Sequence, residues 1–320
     1  MPSAKRTRDT PELAEVGALI ERMRAGERRA ISRVVTELER FSSVAPRLIN
    51  ALEPYLGAAL VVGFTGPPGA GKSTLVNAYT RYARRSGKSV GIIAVDPSSP
   101  ISGGAILGDR IRMTATLDDD GVFMRSLANR GHAGGLCPAA VRVIDALDAA
   151  GKQLILIETV GTGQSEIDVA QIADVRVLVT APGLGDDIQA MKAGLSDIVD
   201  VVVVNKADRE GADAAALNLQ GAFSLRPRDR GEVPVLKTTA SLGKGVDALD
   251  RAITAIAALR AGEGPRERRR RRARYLIARA AADNLARRLK ESGGGLDALA
   301  DAVLSGALSA DEAAARLLKS

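Results

Sequence analysis

With 320 residues and 46% hydrophobic content, the chain can bury a sizeable core, as one large α/β domain with additions or as two modest domains. A single cysteine, Cys137, excludes an intrachain disulfide, and with a single histidine, His132, leaves almost no material for zinc or Cys–His chemistry; 2% aromatics with no Trp disfavours a stacking platform for single-stranded nucleic acid. The net charge of +7 invites an anionic partner, while the polar start from Met1 to Thr10 and the lack of any apolar run near 18 residues lead to the expectation of a cytoplasmic protein with no membrane partner.

Residues 11 to 56 read as helices. Leu13, Val16, Leu19, Ile20 and Met23 recur at helical spacing, Ile31, Val34, Val35 and Leu38 repeat the pattern, and Val44, Leu48, Leu52 and Leu56 make a third stripe. We expect a helical N-terminal extension over 1–57. From Leu60 onward apolar runs alternate with helical segments. The pattern predicts strands at 60–65, 89–95, 122–126, 153–158, 175–181, 200–205 and 233–237, with helices near 72–85, 138–150, 165–173, 186–196, 210–224 and 245–262. Such alternation gives an α/β fold, a mostly parallel sheet flanked by helices, over 58–262, with ligands at the carboxyl ends of the strands.

The first strand, Leu60-Val61-Val62-Gly63-Phe64, runs into Gly66-Pro67-Pro68-Gly69-Ala70-Gly71-Lys72-Ser73-Thr74 and then a helical run. Strand, G-x-x-x-x-G-K-S and helix together supply the context of a phosphate-binding loop. The glycines let backbone N–H groups face phosphate oxygens, Lys72 supplies a cation to the β- and γ-phosphates, and the Ser73 hydroxyl suits a magnesium ion on the same oxygens. A plain strand-to-helix turn requires neither Lys72 nor Ser73 at those offsets.

Three carboxylates fall where neighbouring strands should reach the phosphates. Asp96 ends the second strand, Asp109 lies in Gly103-Gly104-Ala105-Ile106-Leu107-Gly108-Asp109-Arg110, and Glu158 ends Leu154-Ile155-Leu156-Ile157. An acidic residue at the tip of an apolar strand beside such a loop holds magnesium or its water, although acidic caps of following helices read the same way singly. Glu158-Thr159-Val160-Gly161-Thr162-Gly163-Gln164 reads as a switch loop, with Gly161 N–H the natural donor to the γ-phosphate. Asn205-Lys206-Ala207-Asp208 follows Val201 to Val204, about 130 residues beyond the phosphate loop. Its Asp208 carboxylate can accept both N1–H and N2–H of guanine, a match adenine cannot make, so GTP is favoured over ATP. The Lys206 stem can lie over the purine, and Thr239-Ala240-Ser241-Leu242 fits a last base-side loop to which Ser241 and Leu242 contribute backbone groups.

After Gly262-Glu263-Gly264-Pro265 the composition becomes Arg- and Ala-rich through about Lys290, Gly293 to Gly295 break the helix, and two short amphipathic helices follow. The run Arg266 to Arg274 reads as a solvated helix face or a subunit contact rather than a nucleic-acid reader, since no recognition motif accompanies it. Residues 263–320 are expected to form an arm whose apolar stripes need a partner surface.

Taken together, the phosphate loop, Ala94-Val95-Asp96-Pro97-Ser98-Ser99-Pro100, Gly103 to Met113, Glu158 to Glu166 and Asn205 to Asp208 resemble the MeaB/ArgK-type GTPases. These belong to the class of P-loop GTPases that keep Glu in the switch motif, and they are chaperones of adenosylcobalamin-dependent methylmalonyl-CoA mutase. The resemblance runs through nearly the whole chain and implies that the C-terminal arm makes a homodimer. It implies GTP/GDP and Mg2+ as ligands, with no cobalamin bound directly as the default. Lys72 and Ser73 are then implied to bind phosphate and magnesium, Asp96, Asp109 and Glu158 to form the magnesium and switch network, and Asn205 and Asp208 to read guanine. Ala181 to Lys192 is implied to be a mobile segment through which the mutase stimulates hydrolysis, with Gln189 and Lys192 swinging toward the nucleotide; from spacing alone, Lys192 reads as a surface lysine. Thr162 stands where Val is usual and touches only local packing. Slow intrinsic hydrolysis is expected, because the switch loops carry no obvious arginine finger. A kinase acting on a transport component is the alternative, without a visible acceptor pocket.

Overall fold

The structure, a computed structural model, describes residues 10–96, 118–128, 139–159, 169, 171–184, 198–224, 232–260, 262–291 and 293–319. Seven strands form one sheet: β1 Leu60–Thr65, β2 Val90–Asp96, β3 Val122–Ala128, β4 Leu154–Thr159, β5 Val175–Thr180, β6 Val201–Val204 and β7 Val235–Lys237. Their spatial order is β3-β2-β4-β1-β5-β6-β7, and every pairing is parallel. All carboxyl ends therefore share one edge of the sheet. The register sets Phe64 of β1 beside Glu158 of β4, and Ala94 of β2 on the other flank of Glu158.

The central strands β1, β4, β5 and β6 are buried on both faces, which is why they read as largely unbroken apolar runs rather than alternating ones. On one face Val62 and Phe64 pack with Leu75, Val76 and Tyr79 of α4 (Lys72–Arg85) and with Val246, Leu249 and Ile253 of a later helix, Val246–Leu259. On the other, a helix at Ala139–Ala149 lies against β2 and β4. Close approach there uses glycine: a Cβ at Gly63 would stand 2.2 Å from Val169 Cγ1. Ahead of β1, α1 (Thr10–Arg24), α2 (Arg28–Glu39) and α3 (Ala45–Leu52) pack on one another, and α2 lies on the Ala139–Ala149 helix, which is α5 in chain order. Ile31, Val34, Val35 and Leu38 are the buried stripe of α2.

The remaining helices are α6 (Ala212–Ser224), α7 (Val246–Leu259), α8 (Pro265–Glu291), α9 (Gly293–Leu304) and α10 (Ala310–Lys319). Element bounds differ from the sequence expectations in instructive places. β3 extends to Ala128 because β2 offers a full ladder from Val90 to Asp96. β4 extends to Thr159, so Glu158 lies inside the strand rather than ending it. β7 starts only at Val235, since Pro234 has no N–H to give the ladder, although its carbonyl accepts from Val202 N at 2.9 Å. The three glycines 293–295, expected to break the helix, are themselves helical, in α9. The predicted helix at 186–196 lies outside the described residues, as does most of 165–173.

The chain divides into two compact units, Met1–Arg271 and Arg272–Ser320. In the second, α9 packs on α10, and α10 opens on a reciprocal cap: Ser309 N donates to Glu312 Oε2 at 2.8 Å while Glu312 N donates to Ser309 Oγ at 3.2 Å.

Candidate functional site

The site lies at the carboxyl edge of β1, β4, β5 and β6. β1 ends in Thr65, and the chain turns at Gly66 with φ of 140°, where a Cβ would stand 1.9 Å from Val179 O of β5. Only glycine fits that approach. Gly71, at φ 89°, precedes the first residue of α4, and a Cβ there would stand 2.5 Å from Asn205 Nδ2. Pro67 and Ala70 are buried, Pro68, Gly69 and Thr74 exposed, so the loop presents its tip outward from a fixed base.

Lys72 and Ser73, the first two residues of α4, are both buried. Lys72 Nζ donates to Gly66 O at 2.7 Å and Pro67 O at 3.0 Å, folding the cation over the loop. Ser73 Oγ donates to Glu158 Oε1 at 2.5 Å. A hydroxyl and a carboxylate held together at the start of a helix are hard oxygen donors of the type magnesium takes. Among the described residues no three His, Cys, Asp or Glu side chains group as a metal cage, and magnesium does not require one because it keeps several waters. The residues present fit that ion.

At the base end, Asn205 ties the site together. Its Nδ2 donates to Ala70 O at 3.0 Å and Gly71 O at 3.4 Å, while its Oδ1 accepts from Thr238 Oγ1 at 3.1 Å and Ala240 N at 3.1 Å. One buried amide thus joins the phosphate loop to the turn Ala240–Leu242. Lys206 has φ 56°, an uncommon conformation for a residue with a side chain, and its Nζ donates to Gly69 O at 2.7 Å. Its stem therefore crosses beside the loop. Asp208 is exposed. Ser241 and Leu242 are exposed as well, and the bonds that fix their turn come from Thr238 and Ala240.

Asp96 is the last residue of β2, next to β4. Asp109, Gly161, Gln189 and Lys192 lie outside the described residues. Sequence reasoning missed Thr238, one position ahead of the loop it marked; the signal available was a hydroxyl directly after the β7 run. It also missed Thr65 and Thr180, which end β1 and β5, are buried, and leave their hydroxyls without a hydrogen-bond partner among the described residues. Buried hydroxyls in that state cost about 1–3 kcal/mol each.

Comparison with known proteins follows the same outline. The family model "Methylmalonyl Co-A mutase-associated GTPase MeaB" matches residues 28–294. A protein of Pyrococcus abyssi with a provisional GTPase name is 50% identical over 238 residues, 73% of this chain and 74% of its own. GTPase ArgK of Escherichia coli is 36% identical over 249 residues, 75% of each chain. The mouse protein named methylmalonic aciduria type A homolog, mitochondrial, is 37% identical over 190 residues, 58% of this chain and 46% of its own. Among solved structures, that of a LAO/AO transport system kinase superposes with a TM-score of 0.76 at 25% identity and covers 99% of both chains.

Proposed function

The chain belongs to the MeaB family of methylmalonyl-CoA mutase-associated GTPases, and on that premise we propose that it hydrolyses GTP to GDP and phosphate and couples this to gating of adenosylcobalamin delivery to, and protection of, the mutase. The observation that carries the nucleotide reading is Asn205, whose amide holds the phosphate loop and the base-side turn at once, beside an exposed Asp208 whose carboxylate can accept two guanine N–H groups. Guanine is chosen at Asp208 because leaving that carboxylate unmatched against another base is costly.

In the reaction, water attacks the γ-phosphorus in line, the bond from phosphorus to the β–γ bridging oxygen breaks, and GDP leaves with that electron pair. Lys72, released from the Gly66 and Pro67 carbonyls, balances charge on the β- and γ-oxygens, and the loop amides share it. Ser73, with Asp96, Asp109 and Glu158, would hold a magnesium ion, which would supply further positive charge for the phosphates. Glu158 keeps Ser73 oriented for that task. Gly161 takes the γ-phosphate, and Gln189 and Lys192 enter when the mutase rearranges Ala181 to Lys192. Residues 1–57 form a helical extension, 58–262 the GTPase domain and 263–320 an arm that joins two copies, in the cytoplasm.

The kinase reading is favoured only by the name of the structural neighbour. GTP labelled on the γ-phosphate separates the two. Our reading predicts label released as inorganic phosphate; label fixed on a protein or small acceptor contradicts it.

A further inference from the structure

A second feature of the same unit adjoins the base-side turn of the nucleotide site. The last turns of α4 and the turn Ala240–Leu242 enclose an open cleft of about 550 Å³, lined by Ala78, Arg81, Arg84, Arg85, Asp119, Leu242, Gly243 and Val246. Three arginines face one carboxylate, and that carboxylate is already matched: Arg84 donates to Asp119 through Nε at 2.9 Å and Nη2 at 2.8 Å. Arg84's hydrogen bonds hold the Asp119 carboxyl below the usual carboxylate range, so the pair stays formed at neutral pH. Arg81 and Arg85 remain. Both are exposed, neither makes an ion pair with a described residue, and Arg85 only lies over the Tyr82 ring at 5.7 Å. They stand four residues apart, on one face of the helix. Beside them Leu242 is 65% exposed, an unusual place for a leucine on a tight turn.

We propose that this cleft is the docking site for an acidic segment of the mutase, two carboxylates pairing with Arg81 and Arg85 while an apolar side chain covers Leu242. This rests on the reading of the chain as a mutase-associated GTPase and adds to it a surface, a partner chemistry and a route. Charge complementarity selects the occupant: two guanidiniums outside any ion pair among the described residues donate to carboxylates or phosphates, and the apolar floor of Ala78, Leu242 and Val246 favours a peptide over a bare phosphate backbone. The route follows from the bonds already described. The turn that carries Leu242 is fixed by Ala240 N to Asn205, and Asn205 fixes the phosphate loop, so an occupant of the cleft bears on both ends of the nucleotide through one side chain. Docking here therefore alters how fast nucleotide is released.

The test uses the full chain with purified mutase from the same organism. The charge reversal Arg81→Glu with Arg85→Glu should weaken mutase binding by about 10- to 100-fold. GTP affinity and basal hydrolysis should stay at the parental value, because neither residue touches the nucleotide. Arg81→Lys with Arg85→Lys should recover most of the binding, which a loss through misfolding would not do. The mutase should change the GDP release rate of the parent and of the lysine pair but not of the glutamate pair. If the parent binds mutase and the glutamate pair binds it equally well, the cleft proposal falls while the mutase-partner reading stands. If the parent binds no mutase, both fall. Salt-sensitive binding of a DNA duplex that the glutamate pair loses, with mutase binding intact, would assign the cleft to a phosphate backbone and overturn the proposal.

Discussion

The two edges of the sheet use charge in opposite ways. At the carboxyl edge, Lys72 and Asn205 donate to carbonyls of the phosphate loop and Ser73 donates to Glu158, bonds that a nucleotide can replace or extend. At the amino edge, buried carboxylates are closed off by backbone amides and arginines. Asp148 accepts from Gly57, Ala58 and Ala59 N at 2.6, 3.1 and 2.9 Å, and Arg268 holds the Gly57 carbonyl at 2.7 Å. Asp174 accepts from Val61 N and from Arg271 Nη2, each at 2.9 Å, while Arg271 also grips Glu263. Asp200 accepts from Arg176 N at 2.9 Å and pairs through both its oxygens with Arg260. On our proposal one edge exchanges its partners with ligand; the other fastens the chain between β1, β5, β6 and the start of α8. Variants at the first edge, Asn205 excepted, should cost activity with little stability, and variants at the second the reverse.

The largest effect tests the first edge. Lys72→Ala should lower GTP turnover by about 100-fold or more, with thermal unfolding nearly unchanged; a variant that hydrolyses normally breaks the assignment. Asp208→Ala should weaken GTP binding by about 100-fold while leaving the fold intact, and ATP should gain in relative affinity, read by nucleotide competition. Asn205→Ala should do both kinds of damage, since it removes bonds to Ala70, Thr238 and Ala240 and leaves buried groups unmatched. We expect a loss of about 2–3 kcal/mol in denaturant unfolding together with weaker binding of GDP and GTP alike. At the other edge, Arg271→Ala removes the guanidinium from buried Asp174 and should cost about 2–3 kcal/mol of stability, with GTP affinity unchanged in the folded protein. Loss of affinity without loss of stability there would erase the contrast.

The smallest effect is a pH dependence. Arg84's hydrogen bonds depress the folded-state carboxyl of Asp119, so its contribution is present above the unfolded-state value near 4 and is lost as pH falls through the folded one. Asp119→Asn should flatten that acid loss by less than about 1 kcal/mol, because the pair is partly exposed. Unfolding midpoints measured between about pH 5 and pH 3 would show it.

Much of the sheet was legible because buried parallel strands are continuous apolar runs bounded by polar residues, as Val201 to Val204 is by Asp200 and Asn205. The phosphate loop was legible because its demands are local: Gly66 and Gly71 at positive φ, then Lys72 and Ser73 on the first turn. The Arg266 to Arg274 run was not. Sequence shows a charge stripe, whereas its partners, Asp174 for Arg271 and the Gly57 carbonyl for Arg268, lie far away along the chain. Thr238 escaped for the same reason, since its role exists only through Asn205. Long-range pairings of this type leave no periodicity to read. The Arg81 and Arg85 cleft likewise needs α4 and the Ala240–Leu242 turn side by side.

The most direct measurement of the central claim is single-turnover hydrolysis of GTP by the full chain, with and without purified methylmalonyl-CoA mutase. The account predicts slow release of phosphate from the chain alone and a marked acceleration by the mutase that Lys192→Ala abolishes without loss of GTP binding. Equal rates with and without the mutase would contradict it.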